Sequence, residues 1–204
     1  MKKRKAVHIL FILAIITMFM GCSNKAENVV NDYFKKVQNG EVKFEDLIEQ
    51  PMEDKVIDKI QSDKFSKQYI DKMYSEFDNN IKNVKYKINS HSINGDEATV
   101  KVTVIGDNLS NNFKQVLTQT VKYVVQQAYL DNKMSQEEVN KYMSNLISEI
   151  GQATSSERTS DITLEKVNGK WQVKNDSSLT ELITGIDNNC LESISSEFER
   201  IFKK

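Results

Sequence analysis

The chain has 204 residues, 28 of them basic and 29 acidic, for a formal net charge of −1. That balance offers no basic excess to neutralise phosphates, so nucleic acid is not an expected partner. The length sustains one hydrophobic core and is too short for the two-lobed substrate-binding proteins of uptake systems. With only Cys22 and Cys190 there is no disulfide framework, and stability has to come from packing.

In chain order, Lys2, Lys3, Arg4 and Lys5 precede an apolar run from Ala6 to Met20, broken by His8 and Thr17. The run falls short of the roughly 20 apolar residues of a membrane span. A basic start, a short apolar stretch and then the small residues Gly21, Cys22 and Ser23 mark a signal peptide. Phe19-Met20-Gly21-Cys22 resembles the lipobox of bacterial lipoproteins, with Phe19, large and apolar, where Leu is usual. The resemblance implies cleavage between Gly21 and Cys22 and a diacylglyceryl thioether on the Cys22 sulfur, a good nucleophile as thiolate. Two or more acyl chains hold a protein firmly on a bilayer. The expected organisation is a leader over 1–21, a short lipidated linker over 22–25 and one α+β domain over 26–204, anchored on the extracytoplasmic face. Removing the leader takes away four basic residues and brings the net charge to −5, which disfavours docking on anionic headgroups and leaves attachment to the lipid.

Val29, Val30, Tyr33, Phe34 and Val37 are spaced for one helix face, with Ser23 or Asn24 as cap and Gly40 as stop. Phe44, Leu47 and Ile48 predict a short helix ended by Gln50-Pro51, and Val56, Ile57 and Ile60 continue in helical or irregular fashion. Phe65, Tyr69, Met73 and Phe77 predict a longer helix, capped by Ser62 or Asp63 and broken at Asn79-Asn80. The period then becomes two: Val84, Tyr86 and Ile88, then Ala98, Val100, Val102 and Val104, around Asn94-Gly95-Asp96, predict a hairpin. A stripe from Phe113 to Tyr129 predicts a long helix, interrupted at Asp131-Asn132-Lys133. Ser135-Gln136-Glu137-Glu138 reads as a capping box, with Met134 able to staple onto Val139, for a second helix ending at Gly151, antiparallel to the first. Ile162, Leu164, Asn168-Gly169, Trp171 and Val173 predict a second hairpin. Leu179, Leu182 and Ile183 suggest a helical turn, and Cys190, Ile194, Phe198 and Ile201 a final helix. The sum is an α+β fold: an antiparallel curved sheet of two hairpins packed with N-terminal helices, a long helical pair inserted between the hairpins, and a C-terminal helix.

Val30-x-x-Tyr33-Phe34 with Gly40-Glu41, then Asn94-Gly95-Asp96-Glu97-Ala98-Thr99-Val100, then Asn168-Gly169-Lys170-Trp171-Gln172-Val173 follow one another over most of residues 26–176. Their order resembles the cone-shaped α+β fold of the nuclear transport factor two-like (cystatin-like) superfamily. More narrowly, it is similar to domain-of-unknown-function families in lipoproteins of Gram-positive bacteria. The resemblance implies a fold and a cone whose concave side can hold a pocket; it implies no activity, because that fold hosts enzymes, binding modules and adaptors alike. The helical pair from about Ser110 to Gly151 departs from the compact members and stands where it can cover or fill the cone's open end.

Candidate chemistry is sparse. Cys190 and His91 are of the types that form a nucleophile–base pair, but Cys190 shares a stripe with Ile194 and is expected in the core, and His91 is expected to be solvated. Asp187-Asn188-Asn189 is too short for a calcium loop, Glu137-Glu138 is explained by capping, and Glu53-Asp54 by a polar turn after Pro51. No catalytic, cofactor or metal residues are assigned. Tyr86, Val102 and Trp171 either line a pocket on the concave face or fill a core there. The reading is a lipid-anchored, non-catalytic module at the cell envelope, binding a small apolar ligand or a protein partner; the competing reading is an enzyme of the cone fold working in a central pocket.

Overall fold

A computed structural model describes residues 25–48, 64–129 and 135–202. Gly21, Cys22, Ser23, Asn24, Gln50-Pro51, Glu53-Asp54, Val56, Ile57, Ile60, Ser62, Asp63, Asp131-Asn132-Lys133 and Met134 lie outside the described residues. Helix α1 covers residues 25–39, α2 Phe44–Leu47 and α3 Lys64–Lys82. The hairpin β1 (Lys85–Asn94) and β2 (Glu97–Asn108) leads into α4 (Ser110–Tyr129) and α5 (Gln136–Ile150). The chain continues through β3 (Thr154–Val167), β4 (Lys170–Val173), α6 (Ser177–Thr184) and α7 (Asn188–Phe202). The strands form one antiparallel sheet in the order β1-β2-β3-β4, so the fold is α+β with the helical pair between the two hairpins, as the sequence predicts.

The sheet has one wet face and one packed face because β2 alternates strictly. Ala98, Val100, Val102 and Val104 are buried and meet Ile162 and Leu164 of β3 on the inner side. Helix α1 closes that side with Ala26, Val30, Phe34 and Val37, all fully buried. The Phe34 ring stacks on Tyr86 at 4.3 Å, and the Tyr86 hydroxyl donates to Asn31 Oδ1 at 3.0 Å. Tyr86 and Val102 thus belong to a filled core, and Trp171 is half-buried against its edge. The concave face holds side chains where the cone resemblance allows a pocket.

Two local features depart from the expected elements. Helix α3 runs through Asn79 and Asn80 to Lys82. Asn80 satisfies its amide within the helix, Nδ2 donating to Glu76 O at 2.9 Å, and the Asn79 carbonyl accepts from Asn83 Nδ2 at 3.0 Å just past the helix end. In β1 the register shifts between Ile88 and Ser90. This bulge swaps the parity of the strand, so Tyr86 and Ile88 point inward before it and His91 and Ile93 after it. His91 is therefore half-buried against α1, its Nδ1 2.7 Å from Glu27 Oε1, rather than solvated.

The turns follow their sequences. Asn168 and Gly169 both take positive φ, 51° and 77°, the type I′ pattern between paired Val167 and Lys170. In the first hairpin the two-residue loop is Gly95-Asp96, with positive φ at Gly95 alone. The capping box forms as read: Ser135 N donates to Glu138 Oε2 at 2.8 Å while Glu138 N donates to Ser135 Oγ at 3.3 Å. The Ser135 hydrogen bonds hold the Glu138 carboxyl below its ordinary pKa. Helices α4 and α5 pack together, with Tyr142 donating to Gln119 Oε1 at 2.7 Å. Where α3 meets them, the gap between Met73, Val116, Met143 and Leu146 is only about 10 Å³ and its lining is apolar.

Candidate functional site

A cleft opens where three helix ends meet. Asp176 caps α6, its Oδ1 accepting from Leu179 N at 3.1 Å. After eight residues α6 stops at Gly185, whose φ of 76° is the left-handed conformation of a helix end. An added Cβ at Gly185 would lie 2.9 Å from Asn108, so this turn also requires a residue without one. Two residues on, Asp187 caps α7, with Oδ1 accepting from Cys190 N at 2.7 Å. The starts of α6 and α7 are thereby brought beside the end of α2. Thr180 Oγ1 donates to Leu47 O, and Asn175 Nδ2 donates to Asp46 O at 2.6 Å, holding α2 in place.

Between these ends lies a cleft of about 420 Å³ lined by Leu47, Asn175, Asp176, Ser177, Thr180, Ile186, Asn188 and Leu191. This is within the range of small-molecule sites, roughly 300–1,000 Å³. Leu47, Ile186 and Leu191 form an apolar floor, and the amides, hydroxyls and Asp176 form a polar rim. Helix N-termini attract anions, but here each carries its own aspartate, and the lining residues include no lysine or arginine. The lining thus offers apolar surface and neutral polar groups beside one carboxylate, and no cation.

The groups the sequence offers for chemistry are engaged elsewhere. Cys190 sits one turn into α7, buried, and its Sγ donates to Ser110 O at 3.4 Å. Burial first, and the charge of Asp187 second, push its thiol pKa up, opposite to the activation a nucleophile needs. His91 is held by Glu27 on α1, so the structure does not bring the pair together. Burial, with Asp46 adding, raises Tyr33 to about 12, and burial with Glu45 raises Tyr74, so neither phenol is poised as a base. Among the described residues no three His, Cys, Asp or Glu side chains are grouped to hold a metal ion. Among them, too, no helix is long and apolar enough to cross a membrane. The cleft itself was not legible in the sequence: its lining comes from three separated segments, and the only local signals were the two aspartate caps.

No curated protein matches the chain. Among solved structures, it is similar to the ycdA protein of Bacillus subtilis subsp. subtilis str. 168, described as a candidate lipoprotein. Identity is 18%, over 78% of this chain and 47% of that one, with a TM-score of 0.41, so the chain spans about half of that protein's length. Residues 16–186 match the family described as "Domain of unknown function (DUF5105)", a segment that takes in Gly21 and Cys22 and stops just before α7. The chain belongs to the DUF5105 family.

Proposed function

We propose that the protein is an extracytoplasmic lipoprotein whose folded part binds a small molecule or a protein partner without catalysis. The leader over 1–21 is removed after Gly21, Cys22 carries the lipid, and residues 26–204 form one domain held close to the membrane. The observation that carries the anchoring is Phe19-Met20-Gly21-Cys22 behind a basic start and a short apolar run. Residue 25 already lies within helix α1, which supports a short tether. A Gram-positive origin and kinship with the nuclear transport factor two-like superfamily remain part of this proposal, resting on the order of the helix and hairpin motifs. Binding rests on the cleft, with its apolar floor and polar rim. An enzyme working in a central pocket has less support, since α1 covers Tyr86 and Val102.

Two measurements test the reading. Cys22→Ser is expected to move the protein from the membrane fraction to the soluble fraction; retention in the membrane would reject the lipid anchor. Native mass spectrometry of the full chain, released from membranes in mild detergent, is expected to show extra mass beyond the acyl groups. Leu191→Trp, which fills the cleft, should abolish that extra mass. Ligand retained by Leu191→Trp would place binding elsewhere, and a ligand-free wild type would favour a protein partner.

A further inference from the structure

The two edges of the sheet are treated differently. At one edge, β1 carries Lys85 and Lys87 on its outer face and a bulge after Ile88. Lysines and bulges are common guards against unwanted strand pairing. At the other edge, β4 pairs only with Leu164–Val167, and Lys174 N, donating to Thr163 O at 2.9 Å, makes the last contact. Yet β3 extends ten residues further back, pairing with β2 without a register shift down to Thr154.

Ladder parity determines which backbone groups this leaves open. In an antiparallel strand, alternate residues direct both N–H and C=O to the same side. Lys166 N donates toward the β1–β2 turn, to Asp96 O, while Thr163 O faces β4. Counting back, Ser155, Glu157, Thr159 and Asp161 direct their backbone groups away from β2. Among the described residues nothing accepts from or donates to those groups. All four residues are exposed. Helix α6 does not cover this edge: it lies on the inner face, tied there by Arg158, which stands opposite Val104.

We infer that the open edge of β3, from Ser155 to Asp161, is a docking site for an extended segment of a partner protein that carries lysine or arginine at alternate positions. Main-chain bonding to the free groups supplies affinity, as in other strand additions, and the side chains on the same edge choose the partner. Glu157 and Asp161 stand on the outer face; Asp161 has Lys101 across from it on β2 and Lys174 beside Thr163 at the end of β4, whereas Glu157 faces the uncharged Ile105. A basic strand laid along the edge meets both carboxylates at cross-strand distance. A second copy of the chain is disfavoured: in-register antiparallel pairing of two β3 edges brings Glu157 or Asp161 opposite or diagonal to its like. The inference depends neither on the lipid anchor nor on the cleft.

The probe is a seven-residue peptide alternating lysine and threonine, with its glutamate–threonine counterpart as control, added to the full chain in non-ionic detergent. The lysine peptide is expected to bind at least tenfold more tightly. It should slow hydrogen exchange at the amides of Ser155, Glu157, Thr159 and Asp161, but not at Ser156, Arg158 or Ser160, which already bond to β2. Glu157→Lys with Asp161→Lys should invert the peptide preference. Thr159→Pro removes an outward N–H and the exposed hydroxyl contact with Thr103 Oγ1 but no ladder bond, so it should keep the fold and lose peptide binding at least tenfold. Ser160→Pro removes a ladder bond and should lower the melting temperature instead. Equal binding of both peptides, protection at other amides, or protection of these four in the free protein would overturn the inference.

Discussion

Replacing Arg158 with methionine is expected to destabilise the protein by about 3–5 kcal/mol, a loss of on the order of 10 °C in melting temperature for a chain of this size. The guanidinium donates from Nε to Leu182 O, from Nη2 to Ile183 O and from Nη1 to Gly106 O, each at 3.1 Å, with Ser156 Oγ as a further acceptor. Leu182 and Ile183 belong to the last turn of α6, whose carbonyls have no partner within the helix. A cation there also complements the negative end of the helix. One side chain thus clasps a helix end to the sheet and satisfies two orphan carbonyls at once. The arrangement costs something: burial pulls the Arg158 pKa down, and Asp107 and then Glu181 push it back up. Methionine keeps most of the volume and all of the burial but leaves the carbonyls without donors. Lysine keeps the charge but not the planar fork, so Arg158→Lys should fall between the two. Urea denaturation measures both. A midpoint shift for Arg158→Met no larger than that of a surface change such as Glu157→Gln would sink this account.

The second large effect is expected at Phe44, where alanine should cost about 3–5 kcal/mol. Helix α2 has four residues, far too few to stand alone. It is held from outside: Phe44 N donates to Asp78 Oδ1 at 2.7 Å, and the fully buried Phe44 ring stacks on Phe77 at 4.4 Å and meets Phe113 edge-on at 5.5 Å. The three rings join α2, α3 and α4 into one unit. Truncation leaves a cavity there and frees Leu47, which floors the cleft and whose carbonyl accepts from Thr180. Phe44→Ala should therefore lose stability and cleft binding together, whereas Phe44→Leu should cost roughly 1–2 kcal/mol and keep the cleft. Calorimetry and native mass spectrometry on the two variants separate these outcomes.

The sequence spoke clearly where one rule acted alone. Val100, Val102 and Val104 alternate because one face of β2 is dry, and Asn168-Gly169 turns because both residues tolerate positive φ. Ser135 and Glu138 cap reciprocally as their spacing demands. It was silent where tertiary partners replace the apolar signal. The first half of β3, Thr154–Asp161, shows no hydrophobic alternation, because its inner positions are Ser156, Arg158 and Ser160, chosen for the end of α6. Asn79 and Asn80 read as breakers because their side chains compete with the backbone in general; here Asn80 bonds back to the preceding turn. The bulge after Ile88 has no local mark, yet it alone turns His91 toward Glu27.

The long ladder between β2 and β3 also constrains how the chain folds. Its nearest pair, Asn108 with Thr154, is separated by residues 109–153, whereas β1–β2 and β3–β4 close over two residues each. The outer hairpins are therefore local and quick to form, while the central seam must wait for a distant closure whose entropy grows with the loop between. Helices α4 and α5 shorten that wait if they pair first, since they carry the end of β2 back toward the start of β3. In kinetic terms the helical pair is the turn of one oversized hairpin, and the rate at which it assembles sets when two separate ribbons become a sheet.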